Sequence, residues 1–180
     1  MSKIMSTIMS KQSKLSKQAG LTLIELSIAI VVAGLLITGA LMMFSSTSKA
    51  QKSLQMSQDI MAIKVGMKSV FGGQGSYLTA TNHNGLLINA GKVPSTLRVT
   101  GTAIATADGN EITVTGTATT FTITITAVEK AICIALLPSL VDYTSVTAGA
   151  TTAITALPIT PMVADTSCAA ATQSIVLVSN

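Results

Sequence analysis

Cys133 and Cys168 are the only thiols in this sequence, His83 is its only imidazole, and its seven carboxylates stand singly along the chain. Zinc takes about four nitrogen, sulfur or oxygen ligands in a closed set. Two cysteines and one distant histidine fall short of that, so no metal is expected. There is no Gly-rich phosphate loop with its Lys, no nucleophile elbow and no paired carboxylates in a common motif, so neither catalysis nor a cofactor is expected. The segment ADGNE (107–111) has the look of a calcium loop but lacks the ligand count, and reads as a β-turn. His83, in a Gly- and Asn-rich stretch with no acid beside it, reads as an exposed loop residue. The two thiols remain. In an exported domain they oxidise to one disulfide; in a reducing compartment they stay as two buried thiols.

One carboxylate stands in an unusual place. Glu25 is the only charge in residues 21–44, a run of 24 that exceeds the roughly 20 residues needed to cross a bilayer as a helix. The run is also longer than the apolar part of a secretory signal, and TGA (38–40) is a weak cleavage site. A carboxylate in such a helix costs about 2.5–3.5 kcal/mol at the bilayer centre, less near the interface, which implies a partner.

Charge is distributed with the same asymmetry. Of the formal +4, all belongs to the first twenty residues, where Lys3, Lys11, Lys14 and Lys17 meet no acid. From residue 21 onward seven basic side chains balance seven acidic ones. The basic excess is a leader rather than a nucleic-acid surface, and it leans toward the cytoplasm by the positive-inside tendency, although Lys49, Lys52 and Lys64 follow the span. With five aromatic residues and no Trp, a base-stacking or sugar-stacking platform is not expected.

Beyond the span the elements that must carry any function come into view. Met56, Ile60, Ile63, Met67 and Val70 recur at helical spacing with no Pro between Ser45 and Phe71. One helix over 21–71 would then measure about 75 Å at 1.5 Å per residue. Gly34 and Gly39 are its weak points, each costing roughly 1 kcal/mol against Ala, so the helix is expected to loosen there during assembly. GGQGSYLTATNHNG (72–85) reads as a helix stop and surface loop, and GLLINAGKVPSTL as a loop with one helical turn. LRVTGTAI, EITVTG and TTFTITITA read as strands, with ADGN turning between the first two; Phe121, Ile123 and Ile125 alternate with Thr, one face for the core and one for solvent. AVEKAICIALLPSL (127–140) reads as a short helix ending near Pro138, SIVLVS (174–179) as a last buried strand. The Thr- and Ala-rich stretch 144–172 reads as either a neutral contact surface or a featureless loop.

Residues 14–28, KLSKQAGLTLIELSI, resemble the type IV prepilin signature: a basic leader ending in Gly, then an apolar start with Glu at the fifth position. Leu21 in place of the usual Phe and the twenty-residue leader resemble the type IVb class, which includes the toxin-coregulated, bundle-forming and conjugative thin pili. The resemblance implies cleavage by an inner-membrane prepilin peptidase after Gly20, N-methylation of Leu21, and pairing of Glu25 with the amino terminus of a neighbouring copy as helices pack. It implies an α+β type IV pilin fold: a leader (1–20), an N-terminal helix (21–71, with 21–44 in the membrane and then the filament core) on a small antiparallel sheet, and a head (72–180) whose C-terminal region a Cys133–Cys168 disulfide ties down. It further implies a homopolymer handled by the inner-membrane assembly machinery, single-pass in the inner membrane with the head in the periplasm, then extracellular, serving adhesion, aggregation or conjugation. A type II secretion pseudopilin shares the leader and the Glu; a monomeric membrane-anchored binding protein is the reading from outside the assembly class.

Overall fold

The computed structural model describes residues 22–79, 82–149 and 152–180. The chain divides into two compact units, residues 1–44 and 45–180.

Within the first unit the described residues are all helix after Thr22, forming the opening of α1 (Leu23–Val70). Leu23–Leu41 is long and apolar enough to cross a membrane, with mean hydropathy 2.3. Its large apolar side chains, among them Leu23, Ile30, Leu35, Ile37 and Leu41, are all exposed. A helix apolar on every side is made for lipid or for a bundle of its own kind, not for one face of a soluble core.

The second unit is a sheet with helices on it. The rest of α1 lays Met56, Ile60, Ile63, Met67 and then Phe71 into the core, all nearly inaccessible to solvent, so the four-three-four spacing read from the sequence is the packed stripe. Val70 is only half-buried, and Phe71 completes the stripe instead. After α1 come α2 (Asn84–Asn89), β1 (Arg98–Thr100), β2 (Ala103–Ala105), β3 (Glu111–Gly116), β4 (Phe121–Glu129), α3 (Lys130–Leu136), β5 (Ser145–Ala148), α4 (Pro161–Ser167) and β6 (Thr172–Ser179). Every strand pair is antiparallel, in the order β1-β2-β3-β4-β6-β5, so the last strand of the chain lies inside the sheet. On β4, Phe121, Ile123 and Ile125 are buried while Thr122, Thr124 and Thr126 lie half-buried on the other face.

Three segments differ from the sequence reading. LRVTGTAI is not one strand but a hairpin, Thr100 pairing with Ala103 across Gly101–Thr102, because Gly101 takes a φ of 60° that the tight turn requires. Residues 127–129 belong to β4 rather than to the helix that follows. A bulge between Ile125 and Val128 puts Ala127 at φ 56°, Asn110 holds it by donating Nδ2–H to the carbonyls of Thr126 and Ala127, and Val128 returns to the core. The stretch 144–172 is not a featureless loop: it contains β5 and α4, the latter capped by Thr160, whose Oγ1 accepts from Val163 N–H, with Pro161 in its first turn.

The start of α2 does a strand's work. β2 covers β3 only at Glu111 and Ile112. Beyond that point Asn84, buried at 1% exposure, donates Nδ2–H to Ile112 O at 2.7 Å and accepts from Val114 N at 3.0 Å, while His83 N–H donates to Val114 O at 2.7 Å. One side chain thus takes the place of a peptide group at an otherwise unpaired edge. Asn84→Ala would leave both β3 groups buried without partners, at about 1–3 kcal/mol each. Thermal or urea unfolding of the variant should show a loss of about 3 kcal/mol, and a loss below 1 kcal/mol would mean that water replaces the amide.

Candidate functional site

The described helix starts with a cap. Thr22 Oγ1 accepts a hydrogen bond from Glu25 N–H at 3.3 Å, and Glu25 lies in the first turn of α1. Thr-Leu-Ile-Glu has the spacing of a capping box, and the helix dipole favours an acid here. Glu25 is exposed, with no ion pair among the described residues. Gly20 and Leu21 lie outside the described residues. Gly34 and Gly39 lie within α1, helical and open on all sides, and Thr38 Oγ1 donates to Gly34 O at 2.8 Å.

Cys133 and Cys168 form a disulfide with Cα atoms 6.0 Å apart, both cysteines buried. It joins α3, where Cys133 lies beside buried Ile132 and Leu136, to the residue that ends α4. Gln173 of β6 donates Nε2–H to Cys133 Sγ at 2.7 Å, so the sheet is hydrogen-bonded to the point where the two helices are covalently joined.

His83 is buried, not exposed as the sequence suggested. Its ring stands edge-on to Phe71 at 5.2 Å, Nε2 lies 3.2 Å from Leu78 O, and Gly116 leaves the space it fills. A Cβ at Gly116 would come within 2.5 Å of both that nitrogen and Leu78 O. A lone polar ring in a Gly-rich segment reads as solvated; the partner that buries it is a strand over thirty residues away.

A second polar cluster went unread. Lys64, on the buried side of α1, donates to the backbone carbonyl of Asp142, a residue at φ 62°, and its Nζ lies 4.3 Å from the centre of the Tyr143 ring. Burial lowers the Lys64 pKa, the neighbouring Lys68 lowers it further, and Asp142 opposes the shift. Tyr143 Oη is buried without a hydrogen-bond partner, and burial pushes its pKa well above the usual phenol range. A phenol with a raised folded-state pKa keeps its proton when the unfolded chain loses it. Stability from this group is therefore fully present below about pH 10 and lost as pH rises further. Tyr143→Phe retains the ring under Lys64 and removes the orphaned hydroxyl. It should be neutral to about 1 kcal/mol more stable at pH 7 and should flatten the alkaline fall, checked by denaturant melts from pH 7 to 11.

Among the described residues no three His, Cys, Asp or Glu side chains gather as metal ligands would. Lys49–Glu129 (2.6 Å) and Lys52–Asp108 (2.8 Å) are exposed ion pairs from α1 to β4 and to the β2–β3 turn, worth little each. What the arrangement offers is an all-round apolar helix with one acid at its start, and a covalently stapled head.

The model of the prokaryotic N-terminal methylation motif matches residues 15–41, and that of the PilS N-terminal family matches residues 50–180. The chain belongs to the PilS N-terminal family. Among curated proteins none matches by sequence. Among solved structures, this PilS-family chain is similar to TcpA, a type IV pilin from Vibrio cholerae El Tor biotype, with TM-score 0.54 and 13% identity over 72% of this chain and 99% of that one. At that identity the likeness is one of fold. Motif, family and fold together support a pilus or pseudopilus subunit with the type IV pilin fold. The family and fold are those of structural pilins, and an apolar N-terminal helix carrying the methylation motif is a membrane-anchoring one.

Proposed function

We propose that this protein is the structural subunit of an extracellular, type IVb-like pilus that polymerises through its N-terminal helix. The observation that carries the reading is Glu25, the single charge in the apolar span Leu23–Leu41 that opens α1. The leader 1–20 is removed by prepilin peptidase after Gly20, and Leu21 is N-methylated. Residues 21–44 hold the subunit in the inner membrane with the head, 72–180, in the periplasm until the assembly machinery draws it into a homopolymer. There Glu25 meets the amino terminus of a neighbour's Leu21. Two groups that are costly alone in an apolar core become tolerable as a pair, and the pair favours one axial register. Gly34 and Gly39 let the helix loosen as it packs. The filament serves adhesion, aggregation or conjugation through its surface, without catalysis, cofactor or nucleic acid contact.

A pseudopilin would share the leader and the acid; the buried Cys133–Cys168 disulfide favours the pilin. The deciding experiment is amino-terminal sequencing and mass analysis of material sheared from the cell surface. It should begin at Leu21 and carry one methyl group. A start at Met1, or protein that stays with the cells as single copies, overturns the reading.

A further inference from the structure

We propose that a pocket between α1 and the β2–β3 turn binds a primary alkylammonium, with the buried carboxylate of Asp59 as its counter-ion. Lys52, Gln55, Met56 and Asp59 recur at the spacing of one helix face and line one wall. Thr96 and the turn residues 106–108 line the other, enclosing about 120 Å³. An engineered cavity of roughly 150 Å³ takes benzene, so a chain of about four carbons suits this one. The turn wall is preformed. Thr106 N–H donates to Asn110 O at 2.9 Å, Gly109 N–H to Thr106 O at 3.0 Å, and Thr106 Oγ1–H to Asn110 Oδ1 at 3.0 Å.

Asp59 is 5% exposed, and both of its hydrogen bonds end on one oxygen: Oδ1 accepts from Gln55 Nε2–H at 3.0 Å and from Thr96 Oγ1–H at 2.5 Å. Among the described residues no donor reaches Oδ2 and no cation pairs with Asp59. Oδ2 is not sealed in either. The sealed, unpartnered side-chain atom among the described residues is Tyr143 Oη, so Oδ2 keeps an opening, and Asp59 lines the pocket. A carboxylate drawn out of water is costly until a cation pairs with it.

Lys52 is not that cation. Its Nζ sits 2.8 Å from Asp108 Oδ1 at the half-exposed rim, and the hydrogen bond and charge of Asp108 raise its pKa above the ordinary lysine value. Lys52, Asp59 and Asp108 together carry one formal negative charge, which a single ammonium neutralises. Met56, Ala107 and the threonine methyls supply carbon for an alkyl chain. Calcium takes about six to eight oxygens, whereas no three acidic, His or Cys side chains gather among the described residues. An ammonium has about three protons to donate: one suits Asp59 Oδ2, and another Thr96 Oγ1, whose lone pairs stay free when it donates to Asp59.

The test uses full-length protein in detergent, labelled at its methionine methyls and titrated with butylammonium at constant ionic strength. The Met56 methyl resonance should shift and saturate, with a Kd of about 1 mM or tighter. Butanol, the neutral isostere, should bind about tenfold more weakly or worse. Asp59→Asn keeps an oxygen for Gln55 and Thr96 but loses the charge, so it should weaken the ammonium by about tenfold or more while the disulfide and the melting midpoint stay. Lys52→Gln removes the cation at the rim and should tighten binding about fivefold, a readout that survives if the Asp59 variant fails to fold. Nα-acetyl-lysine amide, run beside butylammonium, tells a lysine side chain from a free amine by which of them binds tighter. No saturable shift with either ammonium, equal affinity for butanol, or a Met56 shift driven by calcium and not by the amines overturns the site. Sheared filament plays no part in this readout, so the filament reading stands or falls separately.

Discussion

Sheared filament should fall at least tenfold in cells making Glu25→Val, while the membrane-held subunit keeps its amount and its disulfide. Replacing an acid by Val removes an insertion cost of up to about 3 kcal/mol, so the variant enters the membrane at least as well as wild type. What it loses appears only on polymerisation, when the amino terminus of a neighbour is drawn into an apolar core and finds no counter-charge. An unpaired buried charge costs about 3–5 kcal/mol when its partner is removed, enough to suppress assembly. Thr22 and Glu25 also make a capping-box pattern, with Thr22 Oγ1 accepting from Glu25 N–H, so a plain capping role must be separated from charge pairing. Glu25→Gln does this. Glutamine fills the capping position as well as glutamate but carries no charge, so it should fail nearly as badly as Val. A Gln variant that assembles at wild-type yield would leave Glu25 as a cap and remove the pairing.

Cys133→Ala with Cys168→Ala should cost the head roughly 4 kcal/mol, the chain-entropy value for a loop of 35 residues. For a unit of this size the loss corresponds to a midpoint lowered on the order of 10–15 °C. The structure adds a reason to expect the full amount. The bridge is buried where α3, α4 and β6 meet, and Gln173 Nε2–H, which now donates to Cys133 Sγ, would be stranded beside an alanine. Melts of detergent-solubilised protein from the variant and from wild type, each with and without reductant, check this. Reductant should lower the wild-type midpoint and leave the variant unchanged. A variant within about 1 kcal/mol of wild type would mean that α3 and α4 hold each other without the bond.

The features read correctly from sequence are those whose signal is local and repeated. Twenty-four residues with one charge announce an apolar helix whatever surrounds them, and the Met56–Ile60–Ile63–Met67 spacing names a buried face because helix geometry is the same everywhere. Alternation in Phe121–Thr122–Ile123–Thr124–Ile125 likewise names a strand and both of its faces. The features missed are those that a distant partner decides. His83 and Asn84 sit in a segment that looks like loop, yet they are buried because β2 is too short to cover β3. Lys64 falls at the edge of the apolar stripe, where a lysine ordinarily reaches solvent, and instead turns to a carbonyl supplied from residue 142. Thr160–Pro161, an N-cap followed by the favoured first helical residue, was the one local signal of α4, and it lay in a stretch too uniform in Thr and Ala to stand out.

By itself, then, the sequence determined an anchor apolar all round with one acid at its start, the helical stripe that continues it, the strand character of the head and the pair of cysteines able to join. The tertiary structure alone decided that the last strand lies between β4 and β5, that the Asn84 side-chain amide closes the edge of β3, and that the cysteines meet on two helices beside Gln173. Periodicity depends on neighbours a few residues apart, which the chain carries wherever it goes. Edge closure, strand order and the burial of single polar groups depend on surfaces that exist only once remote segments have come together.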